Sequence, residues 1–273
     1  MAVGFNISEI RELSEQLSVR LNMPFRHMTH SFLKRRLAMF FEKHGFRKIE
    51  NLYESIRQPE FVDDLSQFFS INTTELFRDA GFWRQLRKIF NEKFIAKDCH
   101  VWFPDVASGE ELYSLLILVE ELKIEGNVQI TVNHQSKNAL TNIQKGLLSV
   151  KKMDTNAYNY KRFEGISSID SYFVEEPEGI NFKSDQLKKV IYQQGGIENI
   201  PSKKCDIVIM RNNLLYFTKD YHVTIKELID KCLNKGGYVC LGVKEQLPVP
   251  YNDRFECIDK KEKIFSKFSF LRD

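Results

Sequence analysis

Between residues 101 and 114 the chain reads Val101-Trp102-Phe103-Pro104-Asp105-Val106-Ala107-Ser108-Gly109-Glu110-Glu111-Leu112-Tyr113-Ser114. An apolar run gives way to small residues and one glycine, and two carboxylates then open an amphipathic stretch. Few folds accommodate that order. It is the handover by which a buried strand of an α/β sheet passes into a helix, at the edge where nucleotide-like ligands bind. Acidic residues at such a helix start also suit the positive end of its dipole.

The same alternation continues downstream. Val128 to Val132 reads as a second strand and Lys137 to Leu148 as a second helix. Cys205 to Met210 is a nearly continuous apolar run, as in a strand covered on both faces. Tyr221 to Asn234 reads as a helix ended by Gly236 and Gly237, and Tyr238 to Val243 as the next strand. Phe255–Ile258 and Ile264–Phe270 suit a closing antiparallel pair. The pattern predicts an α/β fold with an open, twisted sheet.

Upstream, residues 1 to about 95 read as helices. Ser8 is placed to cap a helix with Ile10, Leu13, Leu17 and Leu21 inward. Ser31 is placed to cap the next, with Leu33, Leu37, Phe40 and Phe41 inward and Gly45 as its stop. Pro59 to Phe69 and Phe82 to Phe94 complete the set, the latter buried through Phe82, Leu86, Ile89 and Phe90. The predicted division is therefore a helical N-terminal domain, 1–95, and a sheet domain, 96–273. Residues 149–200 are less regular and mixed in charge.

Composition narrows the function classes. With 273 residues, 42% hydrophobic and 28% charged, the chain resembles an ordinary soluble protein. No apolar run approaches the ~20 residues of a membrane span. Met1 to Leu21 carries several acids and does not read as a secretory signal. A net charge of +3 gives no reason to expect nucleic acid. Cys99, Cys205, Cys232, Cys240 and Cys257 are odd in number and lack metal-type spacing, which suits a reduced cytoplasm. His27 and His30 are the only close histidine pair, without a third ligand near, so no metal site is expected.

Four motifs together carry a family resemblance. Asn72-Thr73-Thr74-Glu75-Leu76-Phe77-Arg78-Asp79 precedes the strand–turn–helix element. Phe32-Leu33-Lys34-Arg35-Arg36-Leu37 forms a basic stretch before Gly45. Arg211-Asn212-Asn213-Leu214-Leu215-Tyr216-Phe217 follows the third strand, and Leu233-Asn234-Lys235-Gly236-Gly237-Tyr238 comes after it. In this order the chain resembles the CheR-type chemotaxis receptor methyltransferases. The resemblance implies a Rossmann-like sheet preceded by a small helical domain, with a small antiparallel excursion at about 149–200, around Tyr172–Val174 and Val190–Tyr192. It implies transfer of a methyl group from S-adenosylmethionine to glutamate side chains, with S-adenosylhomocysteine as product. The implied partner is the cytoplasmic helical domain of a chemoreceptor-like protein, met through Lys34, Arg35 and Arg36, by a cytoplasmic monomer.

By the same resemblance Asn72, Thr74, Arg78, Glu111, Asn133, Arg211 and Asn212 are cofactor-binding. Arg78 and Tyr216 are the catalytic candidates, Arg78 as a guanidinium able to hold a carboxylate and Tyr216 beside the transferred methyl. Glu110 is expected to support the helix start. Glutamate methylation needs little acid–base help, because a carboxylate of pKa roughly 4.3 is already ionised at neutral pH. Positioning is then the enzyme's main task, with about 7–11 kcal/mol available in the best intramolecular cases. Three places depart from the family pattern. Asn133 stands where an acid would grip the ribose, Phe103-Pro104-Asp105-Val106 replaces a run of small residues, and Leu241-Gly242-Val243-Lys244-Glu245 keeps the glycine and acid but not the serine. These departures leave two alternatives: a member that binds cofactor or receptor without transfer, and a methyltransferase with another acceptor.

Overall fold

The computed structural model describes residues 5–70, 74–177, 179–247 and 254–269. Its N-terminal layer holds α1 (Ile7–Leu21), α2 (His30–His44), α3 (Ile49–Ser55) and α4 (Pro59–Phe69). Asn6, not Ser8, begins α1. Its side chain accepts from the Glu9 amide at 2.9 Å, and the Glu9 carboxylate accepts from the Asn6 amide at 2.9 Å, closing a capping box. Thr29, not Ser31, precedes α2, and Gly45 ends it with φ 66°. The apolar faces of these helices meet in one core that includes Ile10, Leu13, Leu17, Leu33, Leu37, Phe40, Phe41, Leu65 and Phe69. At seven residues, α3 is too short to leave a periodic signal in the sequence.

The next helix, α5 (Ala80–Lys93), follows a different core. Its Phe82, Trp83, Leu86, Ile89 and Phe90 pack with Val101, Phe103, Leu115 and Ile207 of the sheet layer. From there the chain runs β1 (Cys99–Phe103), α6 (Glu110–Glu121), β2 (Val128–His134) and α7 (Lys137–Gln144). The second helix is thus shorter than its apolar pattern suggests, because Leu147–Leu148 leaves it as the short strand β3. Next come α8 (Met153–Phe163), β4 (Phe173–Glu176), β5 (Gly179–Phe182) and β6 (Ile191–Gln194).

The antiparallel excursion is a three-stranded sheet ordered β3-β5-β4. The segment Val190–Tyr192, expected in that excursion, instead feeds β6, which pairs in parallel with β2 through Thr131↔Ile191 to His134↔Gln194. The chain closes with β7 (Cys205–Met210), α9 (Lys219–Cys232), β8 (Leu233–Leu241), β9 (Phe255–Asp259) and β10 (Ile264–Lys267). Gly236 and Gly237 do not cap α9. They lie within β8, where a Cβ on Gly237 would fall 2.8 Å from the Asp206 carbonyl oxygen.

The main sheet is ordered β6-β2-β1-β7-β8-β10-β9, parallel from β6 to β8, with β10 antiparallel to both its neighbours. Chain direction across the sheet reverses between β1 and β7. Loops leaving the carboxyl ends of those two strands diverge and open a crevice there.

The helical layer covers that crevice and is fixed to it by backbone. The Thr29 amide donates to the Tyr216 carbonyl at 2.7 Å, and the Thr218 amide to the His27 carbonyl at 2.8 Å. The rings of His27 and Tyr221 stack 4.2 Å apart. On the far side Asp63 of α4 acts as a cap for α7, accepting from Ser136 Oγ at 2.8 Å and from the Lys137 and Asn138 amides at 2.5 and 3.2 Å. Removing a side-chain cap costs about 1–2 kcal/mol. Asp63→Ala should therefore lower the unfolding free energy by about that amount in urea denaturation; an unchanged midpoint would mean that the layer is held without this contact.

Candidate active site

The turn after β1 sets the geometry. The Val106 amide donates to the Asn133 carbonyl at 2.9 Å, holding the segment beside β2. Gly109 then turns with φ 103°, and a Cβ there would lie 2.6 Å from the Tyr113 hydroxyl oxygen, so only glycine fits. Glu110 and Glu111 follow in the first turn of α6, both buried. Glu110 accepts from Ser108 Oγ at 2.5 Å, and burial pushes its carboxyl up.

Glu111 meets Arg211 from the end of β7 at 2.9 Å. The same guanidinium reaches Asp79 at 2.6 Å, donates to the Arg78 carbonyl at 3.3 Å and lies 4.2 Å from the centre of the Phe82 ring. Its side chain has no exposed surface, and its Nε has no partner among the described residues. Burial raises the Glu111 carboxyl, with Arg211 pulling the other way. This cluster ties residues 78–79, α6 and β7 into one unit. The backbone beside it is strained: Phe77 and Asp79 take left-handed φ values of 51° and 57°. Phe77 is held there by its amide bond to Ser114 Oγ, 2.9 Å, and by stacking on Phe163 at 4.3 Å.

The remaining sequence candidates sit as follows. Asn133 is fully buried beneath the loop after β6. Its amide nitrogen donates to the Gly196 and Asn199 carbonyls, both at 2.8 Å, and its oxygen accepts from the Trp102 indole at 3.3 Å. Asn212 has φ 60°, and its amide donates to Glu245 at 2.8 Å. Thr74 is buried, with its carbonyl bonded to Lys152. Arg78 is 43% exposed, with Glu75 as its one ion-pair partner among the described residues, at 3.8 Å. Tyr216 packs on Phe32 at 4.6 Å. Asn72 lies outside the described residues.

Two spaces adjoin these groups. An inner chamber of about 50 Å³ sits over the switch point, walled by Met28, Phe32, Phe69, Met210, Tyr216 and Phe217, with Asp105 and Asn213 at its base. An outer groove of about 560 Å³ lies between the helical layer and the loops after β2 and β6, with Arg26, His27, Gln135, Glu198 and Asn199 among its walls. The two share Met23, Pro24, Ser66, Gln135 and Gly196. Of the sequence candidates, Tyr216 lines the chamber. Arg211, Glu111, Asn133 and Asn212 hold the loops around it, and Arg78 stands outside both spaces.

Several contributors were not singled out from sequence. Glu245 is buried and accepts from the amides of Gly242, Asn212 and Leu215 at 2.6, 2.8 and 3.4 Å, joining the β7 and β8 ends. Its burial raises the carboxyl, and those amides oppose the rise. The spacing of Gly242 and Glu245 was the available signal. Asp79 closes the 72–79 motif but was given no role of its own, and Gln135 and Glu198 carried no signal, because their roles depend on loops that meet only in three dimensions.

Known proteins fit this arrangement. The family model for the CheR methyltransferase SAM binding domain matches residues 72–264. Cher3 of Pseudomonas putida, provisionally named a methyltransferase, is 26% identical over 268 residues, covering 95% of this chain and 96% of its own. A chemotaxis protein methyltransferase of Listeria innocua is 24% identical over 225 residues, 80% of this chain and 82% of its own. One from Vibrio anguillarum is 23% identical over 270 residues, 94% and 95% respectively.

The two arginines near the site should behave differently. Arg211→Ala leaves Glu111 and Asp79 without their buried cation and should cost about 3–5 kcal/mol in chemical denaturation. Arg78→Ala removes a solvent-screened pair and should cost no more than about 1 kcal/mol. Equal losses would mean that the buried cluster does not hold the loops together. Asn133→Asp replaces two amide donors by acceptors facing carbonyl oxygens, so it should destabilise the fold. That deficit should shrink as pH falls toward 4 and the new acid takes up a proton.

Proposed function

The chain belongs to the CheR methyltransferase family, and from that premise we propose that it transfers a methyl group from S-adenosylmethionine to glutamate side-chain carboxylates of a chemoreceptor-like protein. The observation that carries this reading is the inner chamber at the switch point, where Tyr216 from the β7 side and Asp105 from the β1 side line one space.

The residues present fit the cofactor. A groove of about 560 Å³ is of ligand-binding size, typically about 300–1,000 Å³. Its continuity with the chamber lets one end of a long ligand reach the switch point. Gln135 and Asn199 offer amides on the groove side, suited to a nucleoside, and Asp105 offers a carboxylate on the chamber side, suited to a cationic centre. When bound, S-adenosylmethionine supplies a sulfonium methyl whose leaving group is a neutral thioether.

The protein's own work is positional. Arg211, Glu111, Asn133, Asn212 and Thr74 fix the loops that frame the chamber. Tyr216 and its aromatic neighbours exclude water from the reaction line. Arg78, weakly paired and exposed, stands outside the chamber and the groove, so its guanidinium is left to hold a carboxylate of the acceptor. Among the described residues, none lining the chamber is a lysine, histidine or cysteine, which suits an acceptor that arrives already ionised. Lys34 and Arg35 are exposed on α2 and complement an acidic helical partner, whereas Arg36 is tied to the Ser70 carbonyl at 3.1 Å.

A second reading, binding without transfer, is favoured by the narrowness of the chamber, about 50 Å³. Labelled methyl transfer to a receptor cytoplasmic fragment separates the two. Glutamyl methyl esters are hydrolysed by base, so transferred label should return as volatile methanol. Label stable to base would point to another acceptor, and no transfer despite cofactor binding would favour the second reading. Arg78→Ala should lower transfer by roughly thirtyfold or more, equivalent to about 2 kcal/mol, without changing the melting temperature appreciably. Near-normal transfer would remove Arg78 from the site.

A further inference from the structure

Asp105 stands two residues beyond β1, and the peptide that follows it is fixed at both its carbonyl and its amide. Its carbonyl accepts from Asn213 Nδ2 at 3.1 Å, and the next amide, of Val106, is bonded to the Asn133 carbonyl. That bonding fixes the backbone from which the side chain lines the chamber. Its carboxylate has no hydrogen bond or ion pair among the described residues. The chamber walls are mostly methionine and aromatic side chains, with Ser66, Ser70, Gln135 and Asn213 as neutral polar groups, and no cation lines it among the described residues.

An isolated carboxylate in such surroundings is costly, and native proteins normally pair it. Every charged or titratable group facing it makes the deficit worse or leaves it unchanged. Glu198, from the loop after β6, adds repulsion. Tyr216, from the segment after β7, offers a hydroxyl and no cation. The helical layer contributes Met23, Pro24, Met28, Phe32, Ser66, Phe69 and Ser70, none titratable in that range. Arg26 and His27 line the outer groove, not the chamber. The partly exposed Asp105 carboxylate thus faces a mostly apolar, aromatic chamber that offers it no cation among the described residues. That setting suits a weakly hydrated cation, which gains both from the carboxylate and from the ring faces.

Building on the methyl-transfer reading of this site, we propose that the Asp105 carboxylate recognises the positive sulfonium of the methyl donor, so that the site holds the donor in preference to its neutral thioether product. Two consequences follow from charge alone. The product, having lost the sulfonium charge, loses its partner and leaves more readily. An anionic acceptor is repelled until the donor has neutralised Asp105, so the donor binds first. Burial, with Glu198 adding to it, pushes the Asp105 carboxyl up to about 7. Donor affinity should therefore rise between pH 6 and pH 8 as the acid ionises, whereas affinity for the thioether should stay nearly flat. The sign for stability is opposite. A carboxyl raised in the folded state favours folding at low pH, and that contribution is lost as pH rises toward 7.

The test is calorimetric titration of the full chain with S-adenosylmethionine and with S-adenosylhomocysteine, at pH 6 and pH 8. Wild-type protein should gain affinity for the donor alone as pH rises. Asp105→Asn should weaken donor binding roughly tenfold at pH 8, leave product binding within about twofold, and abolish the pH dependence. Asp105→Ser provides a second variant should the amide prove poorly tolerated, and the wild-type pH series needs no variant at all. Equal loss for both ligands, no loss for either, or a pH-independent donor affinity would each overturn the proposal. Failure of the wild type to bind either ligand at millimolar concentration would overturn the methyl-transfer reading itself, and this inference with it.

Discussion

The buried guanidinium of Arg211 is the contact on which the site depends. It joins three segments distant in sequence: the strained stretch at 77–79, the first turn of α6 and the end of β7. Desolvating a charge is expensive, and the gain from pairing it requires good geometry. Here two carboxylates, one carbonyl and an aromatic face surround it. The left-handed residues Phe77 and Asp79 each cost of order 1–3 kcal/mol, and they persist because the neighbouring structure over-determines them. The arrangement trades some stability for a fixed frame around the crevice.

That frame also decides the electrostatics. Glu111 and Asp79 share the guanidinium of Arg211, and Glu245 is surrounded by backbone amides. The acids that build the site are thus individually satisfied. Asp105 is not, and it is the one facing the chamber. Charge at the functional surface therefore comes from the group left out of the scaffold, while the groups inside the scaffold contribute rigidity. The helical layer completes the effect by laying Met28, Phe32 and Phe69 over the opening, which lowers the local dielectric and strengthens any interaction with a bound charge.

The central strands of the sheet were legible because they are covered on both faces and their apolar runs leave no ambiguity, as at Cys205–Met210. Helix starts were less legible. Asn6 and Thr29 precede the helices assigned to Ser8 and Ser31, because a capping residue is distinguished by backbone geometry and not by its side chain alone. The segment 149–200 was harder still. Its helix α8 and its edge strand β6 are short and polar-rich, and β6 is defined by what it pairs with, β2, rather than by its own pattern. Candidate site residues were found where a motif names them. Whether a named residue faces a ligand or the protein depends on loops that no local pattern specifies.

Asn133 illustrates the point. Read along the strand, it is a neutral substitute for an acid that grips a hydroxyl pair. In the structure its two N–H bonds are made to the carbonyls of Gly196 and Asn199, and its oxygen to Trp102. An aspartate has no hydrogen to donate to either carbonyl, so the amide is required by the loop it holds. That loop carries Glu198, which lines the groove and presses on Asp105. Negative charge is absent where the chain needs two donors, and present where the chamber holds no cation of its own.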